Sequence, residues 1–163
     1  MSDDEPAAGG EREAWERFAA DAREWCEHRM LDDGEVRIFF VGFEWSPDRG
    51  VTANLYATDG EIDGQQAAAF ARAAVRKHKL RGVVLCAEAW LSRRSPEQRR
   101  AAGYLEVKDD PARRECLLAI ASHVAFGERA YQAEVLRDPL VIRRWEVQPG
   151  FEGHMSRLAT GWS

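Results

Sequence analysis

Residues 84–92 read VLCAEAWLS, an apolar run with strand character. Glu88 stands inside it, and Trp90 shares its face two residues on. A carboxylate buried beside an imidazole or a second carboxylate has a displaced pKa and can transfer protons. His123 and Glu115, on a neighbouring segment, could complete such a set. Glu88 with His123 or Glu115 is therefore the candidate catalytic group of a small hydrolase or nuclease. The competing reading is structural. A carboxylate inside a sheet is costly unless paired. Arg114, just before Glu115, is the expected partner, with Trp90 covering the pair.

Other chemistries find no residues to carry them. His28, His78, His123 and His154 are scattered, with no HxH, HExxH or CxxC, so neither a metal nor a cofactor is expected. Cys86-Ala-Glu88 mimics part of a zinc deaminase motif, but it lies in a strand and no PCxxC follows. Glu106-Val107-Lys108 has the E-x-K form of many nucleases without the upstream acid on a neighbouring strand. Gly9-Gly10, Gly60 and Gly64 lack the lysine of a phosphate loop. Ser122 and His123 are strand neighbours and point to opposite faces, so they cannot pair as nucleophile and base.

A basic stretch runs from Arg72 to Arg100. Its outer part, Arg93, Arg94, Arg99 and Arg100, lies near Trp90 and is the candidate binding surface. Spaced arginines beside an aromatic ring can grip phosphates. The net charge of −5 opposes that use and leaves nucleic acid as a lesser alternative. Charge is unevenly spread. Residues 1–35 carry four basic and twelve acidic groups; residues 72–100 carry nine basic and two acidic. Such polarity favours a head-to-tail contact with a second copy or an acidic partner.

The elements that must position these residues follow from periodicity. Residues 1–10 are expected to be a disordered tail. Ala14, Trp15, Phe18, Ala19, Ala22, Trp25, Cys26 and Met30 form one apolar stripe of a helix over 11–31. VRIFFVGFEW reads as a central strand, apolar on both faces. The turn SPDRG leads to VTANLYAT, with Val51, Ala53, Leu55 and Ala57 on one side. Asp63 and Gln66 predict a capping box for a helix over 64–79. The strand 82–92 is followed by a charged arm over 93–114, where Ser95 and Pro96 could start a short helix. The arm 93–110 is expected to be mobile or ordered by a second subunit. ECLLAIASHVAF and ERAYQAEVLRD predict a hairpin, and LVIRRWEV a further strand.

The fold class is therefore α+β, in the order α-β-β-α-β-β-β. Two helices are expected on one face of a largely antiparallel sheet of five or six strands, burying Trp15, Phe18, Trp25 and Phe70. The organisation is a single domain over 11–147 with a C-terminal tail over 148–163. Length and a 45% hydrophobic fraction suit one packed core. No apolar run reaches membrane-spanning length, and the acidic N-terminus lacks a signal-peptide pattern, which points to the cytoplasm and away from membranes. Cys26, Cys86 and Cys116 read as reduced core residues. Three lysines against twenty arginines suggest a GC-rich genome.

"AEAW", the charged loop, "DDPARRECLLAIASHV" and the returning strand ending "VLRD" together resemble small uncharacterised α+β proteins of phages, prophages and GC-rich bacterial genomes. The resemblance covers residues 88–137. It implies a stand-alone accessory domain and transfers no site residues. With no catalytic set in a well-patterned chain, the first expectation is an accessory domain working through protein contact. Its partner would be itself, as a homodimer, or another protein.

Overall fold

A computed structural model describes residues 7–57, 62–92, 94–148 and 158–159. The chain runs α1 (Ala7–Asp33), β1 (Phe39–Ser46), β2 (Gly50–Ala57), α2 (Gly64–His78), β3 (Gly82–Leu91), α3 (Pro96–Ala101), β4 (Arg114–His123), β5 (Gly127–Leu136), β6 (Val141–Ile142) and β7 (Glu146–Gln148). A 3-10 turn over Val107–Asp109 lies between α3 and β4. All strand pairs are antiparallel, in the order β2-β1-β3-β4-β5-β6, with β7 also on β5. The α+β class stands; the described residues form seven strands, against the five or six expected. The segment LVIRRWEV forms two short strands, β6 and β7, rather than one.

The helices do not share a face. α1 lies over Phe39, Val41 and Phe43 of β1 with Val84, Cys86, Leu117, Ala119 and Ala133. α2 lies over Phe40, Val83, Leu85 and Ala87 on the other side, where Leu118, Ile120 and Ala130 also point. The cause is in the strands. β1, β3 and β4 are apolar at successive positions, so both faces must be kept from water, and each helix covers one.

α1 buries Trp15, Phe18, Ala19, Ala22, Cys26 and Met30, the expected stripe, and begins at Ala7, inside the segment expected to be disordered. Trp25 is only partly buried, against Phe39. Gly82 lets the sheet approach α1: a Cβ there would fall 2.7 Å from the Trp15 ring. α2 presents Ala67, Ala68, Ala71, Ala74 and Val75 to the sheet. Phe70 falls outside that alanine face and is 54% exposed, contrary to the burial expected for it.

The expected capping box of Asp63 with Gln66 is present on α2, and the short helix expected from Ser95 and Pro96 forms as α3 with a capping box of its own, Ser95 with Gln98. In the C-terminal segment, Leu158 and Ala159 are buried against the α2-side core. The Leu158 N–H donates to Glu128 (3.0 Å) and the Ala159 N–H to the Ser122 hydroxyl (2.9 Å).

Candidate functional site

Strands β3 and β4 pair from Gly82↔His123 at one end to Leu91↔Arg114 at the other. Glu88 lies opposite Leu117, six residues from His123 along β4, or about 20 Å. Glu88 and His123 therefore do not meet. Each belongs to a separate charged cluster at its own end of the sheet.

At the His123 end, Glu11 of α1 is clasped by Arg81. Arg81 Nε donates to Glu11 Oε2 (2.9 Å) and its terminal nitrogen to Oε1 (2.8 Å). His123 Nε2 is 3.0 Å from the same Oε2, and the Ala125 N–H donates to Nδ1 (3.0 Å). Because Nδ1 accepts, the neutral ring carries its proton on Nε2 and donates to Glu11. Trp15, Phe43 and Phe126 surround the imidazole, which is fully buried. Burial lowers the His123 pKa, against the pull of Glu11. Burial raises Glu11, but the Arg81 and His123 contacts outweigh it and leave the carboxyl below its ordinary range. Both ring nitrogens are engaged away from solvent, so the arrangement ties α1 to the sheet.

At the other end, Glu88 takes the Val36 N–H, from the link between α1 and β1. Arg114 is not its partner. Alternation along β4 turns Arg114 to the α2 face, where it meets Glu134 (3.3 Å), whereas Glu88 and Glu115 share the α1 face. Arg137 forks onto Glu115, with Nε to Oε2 at 3.1 Å and the terminal nitrogen to Oε1 at 2.6 Å. Glu88 is on the exposed side of the sheet rim, and partial burial raises its pKa, aided by Glu115 and Glu35 and opposed by the Val36 N–H and Arg137. Trp90 does not cover Glu88. It is 49% exposed, with the Arg113 guanidinium 5.0 Å from its ring.

The arm after β3 folds around a buried acid. Asp110 is enclosed, accepting from the Ser92 hydroxyl (2.6 Å) and the Ala112 N–H (2.8 Å), with Arg94 Nε at 3.6 Å. The Ser92 bond outweighs desolvation and, with Ala112, Arg94 and Arg99, lowers the Asp110 pKa. Arg94 also faces the Tyr104 ring (5.3 Å), and Arg99 reaches the Arg94 carbonyl (3.5 Å). Thus Arg94 and Arg99 turn inward, Arg100 stays exposed on α3, and Arg93 lies outside the described residues.

Sequence reasoning passed over Glu11 and the outer edge of β2. Glu11 could have been found from helical phase: it stands one turn before Trp15 on the apolar stripe. β2 has one neighbour among the described residues, β1. Its eight residues, GVTANLYA, contain no charge and no proline. Val51 and Leu55 point to the α1 side and are 42% and 49% exposed, with Ala53 and Ala57 exposed in the same row. The opposite edge is different, since β5 is flanked by β6 and β7, of two and three residues.

Among the described residues, no group of three or more His, Cys, Asp or Glu could hold a metal ion, and no helix is long and apolar enough to cross a membrane. Comparison with family models, curated proteins and solved structures gave no match.

Proposed function

We propose that this chain is an accessory domain that acts by protein contact, offering the edge of β2 to a strand of its partner. The observation that carries the reading is the uncharged, regular eight-residue edge with its exposed Val51–Leu55 row. Edge strands of monomers are ordinarily blunted by charges, proline, bulges or shortness, because unpaired N–H and C=O groups invite another strand. β2 has none of these devices. Main-chain bonds would supply affinity and the apolar row specificity. The inward turn of Arg94 and Arg99 and the engaged His123 favour this reading over phosphate binding or His-based catalysis. The resemblance of residues 88–137 to small uncharacterised proteins of phages, prophages and GC-rich bacterial genomes, which implies a stand-alone accessory domain, leans the same way.

The test is cross-linking in cells that make the protein, comparing wild type with Leu55→Lys. A covalent adduct with a polypeptide, a second copy included, is expected for wild type and lost in the variant. Identical adducts from both would overturn the reading.

A second reading rests on Glu88, a carboxyl with a raised pKa beside Glu115 on the open rim. It would be a small hydrolase or nuclease, recognised by activity that Glu88→Gln abolishes without lowering the melting temperature.

A further inference from the structure

We infer that the partner strand is β2 of a second copy, paired antiparallel about a two-fold axis at Ala53. The inference rests on the protein-contact reading above and names the occupant of that edge.

A two-fold axis perpendicular to the sheet keeps each face continuous across the join, so residues of like parity oppose one another. With Ala53 against Ala53, Val51 meets Leu55 of the second copy, and Leu55 meets Val51. The two large exposed side chains of the strand thus cover each other on the α1 face. Thr52 meets Asn54 on the α2 face, hydroxyl against amide. The small residue falls on the axis, where identical side chains must pass.

The same register also sets the ends of the join. It sets Arg49, in the exposed β1–β2 turn, against Ala57 of the other copy. Ala57 borders a recess of about 480 Å³ whose wall carries two acids, Asp33 and Glu35, and two arginines, Arg29 and Arg37, so its formal charge is balanced. Moving the axis one residue, to Asn54, sets Val51 against Ala57 and Leu55 against Ala53, so that each large side chain faces only a methyl group. Mutual cover of Val51 and Leu55 therefore selects the Ala53 register.

The far edge explains why the assembly stops at two. β6 and β7 interrupt that edge with short strands, and Arg143 and Arg144 lie between them. One receptive edge and one blunted edge allow a single join, which closes on itself.

The experiment uses the purified full chain. Sedimentation over a concentration series should give a species of twice 18.4 kDa. Leu55→Lys should raise the dissociation constant by about tenfold or more, because a two-fold axis counts the change twice. Leu55 is half exposed, so its melting temperature as a monomer should not fall. Ala53→Cys should cross-link to itself with a short bismaleimide, whereas Ala69→Cys, exposed on α2, should not; the native thiols are buried. Val51→Glu should weaken the dimer as Leu55→Lys does, and the two together should restore it, because the Ala53 register sets each new charge against its opposite.

A wild type that stays at 18.4 kDa throughout overturns self-pairing. So does a dimer that survives Leu55→Lys and does not cross-link at position 53. A dimer that loses strength with Leu55→Lys but is not restored by adding Val51→Glu overturns the Ala53 register. If the purified chain is a monomer yet the cellular adduct still depends on Leu55, self-pairing falls while the protein-contact reading stands. If both fail, both fall.

Discussion

At the Arg81 end of β3 and β4, one carboxylate, one guanidinium and one imidazole are matched, and Glu11 and His123 are shut away from water. At the Trp90 end, Glu35, Glu88 and Glu115 gather near one guanidinium, Arg137, on the rim of the sheet. The same two strands thus carry acids under opposite conditions. The pKa of Glu11 goes down and that of Glu88 goes up. A buried acid must be matched or neutralised, while a rim acid can remain in excess because water screens it. Glu88 attracts attention as an acid in an apolar strand, yet the acid that holds the fold is Glu11.

The strongest way to break this contrast is Glu11→Ala. It removes the acceptor of three hydrogen bonds and leaves Arg81 and His123 facing each other. A loss of about 2–4 kcal/mol is expected, under the full cost of breaking a buried pair because Arg81 is partly exposed. Urea unfolding measures it, and a loss below about 0.5 kcal/mol, the scale of a neutral surface change, would remove the matched cluster from the account.

A pH series sharpens the contrast. The folded-state pKa of His123 lies below its unfolded value, near 6.5. Its neutral form is therefore required by the fold, and stability should decline as pH falls below that value, where the unfolded chain takes up a proton first. Glu11, also lowered, adds to the loss further into acid as its carboxylate is protonated. Glu11, Arg81 and Arg12 are the charged groups acting on the ring, and the two arginines oppose the imidazolium. His123→Gln should flatten the decline between pH 7 and 5 and leave the more acidic one. A decline unchanged in that variant would assign it to other groups.

The smallest effect is expected at the rim. In Glu88→Gln the amide oxygen can still accept the Val36 N–H, and excess negative charge is removed. Stability should stay within about 0.5 kcal/mol. This differs from the 1–3 kcal/mol loss that an Arg114 partner would imply. A loss of that larger size would show that Glu88 carries more of the fold than its contacts suggest.

Local features were the most legible. The boxes at Asp63–Gln66 and Ser95–Gln98 depend on residues three apart, so the sequence alone identifies them. The neighbours of β3, the segments that became β1 and β4, were also readable from their apolar continuity. The placement of α2 was derivable but missed: strands apolar on both faces already require cover on both. The partner of Glu88 was lost to parity, since Arg114 and Glu115 must point to opposite faces. The Glu11–His123 contact spans 112 residues, and its register depends on the long arm between β3 and β4. The inward fold of the arm around one acid, Asp110, was not legible in its composition, since charged loops of like composition also stay in solvent.

The three cysteines give the core a clock. Cys26 of α1 and Cys86 of β3 meet where the helix joins the sheet, and Cys116 of β4 points to the opposite layer. Contact with Cys26 and burial hold the Cys86 thiol well above its ordinary pKa, and burial raises Cys116. The thiolate is the reactive form, so alkylation must wait for the layer to open. Lifting α1 alone would release Cys26 and Cys86 together and leave Cys116 silent. The order in which these sulfurs react therefore reports which side of the sheet is shed first, with no label added to the chain.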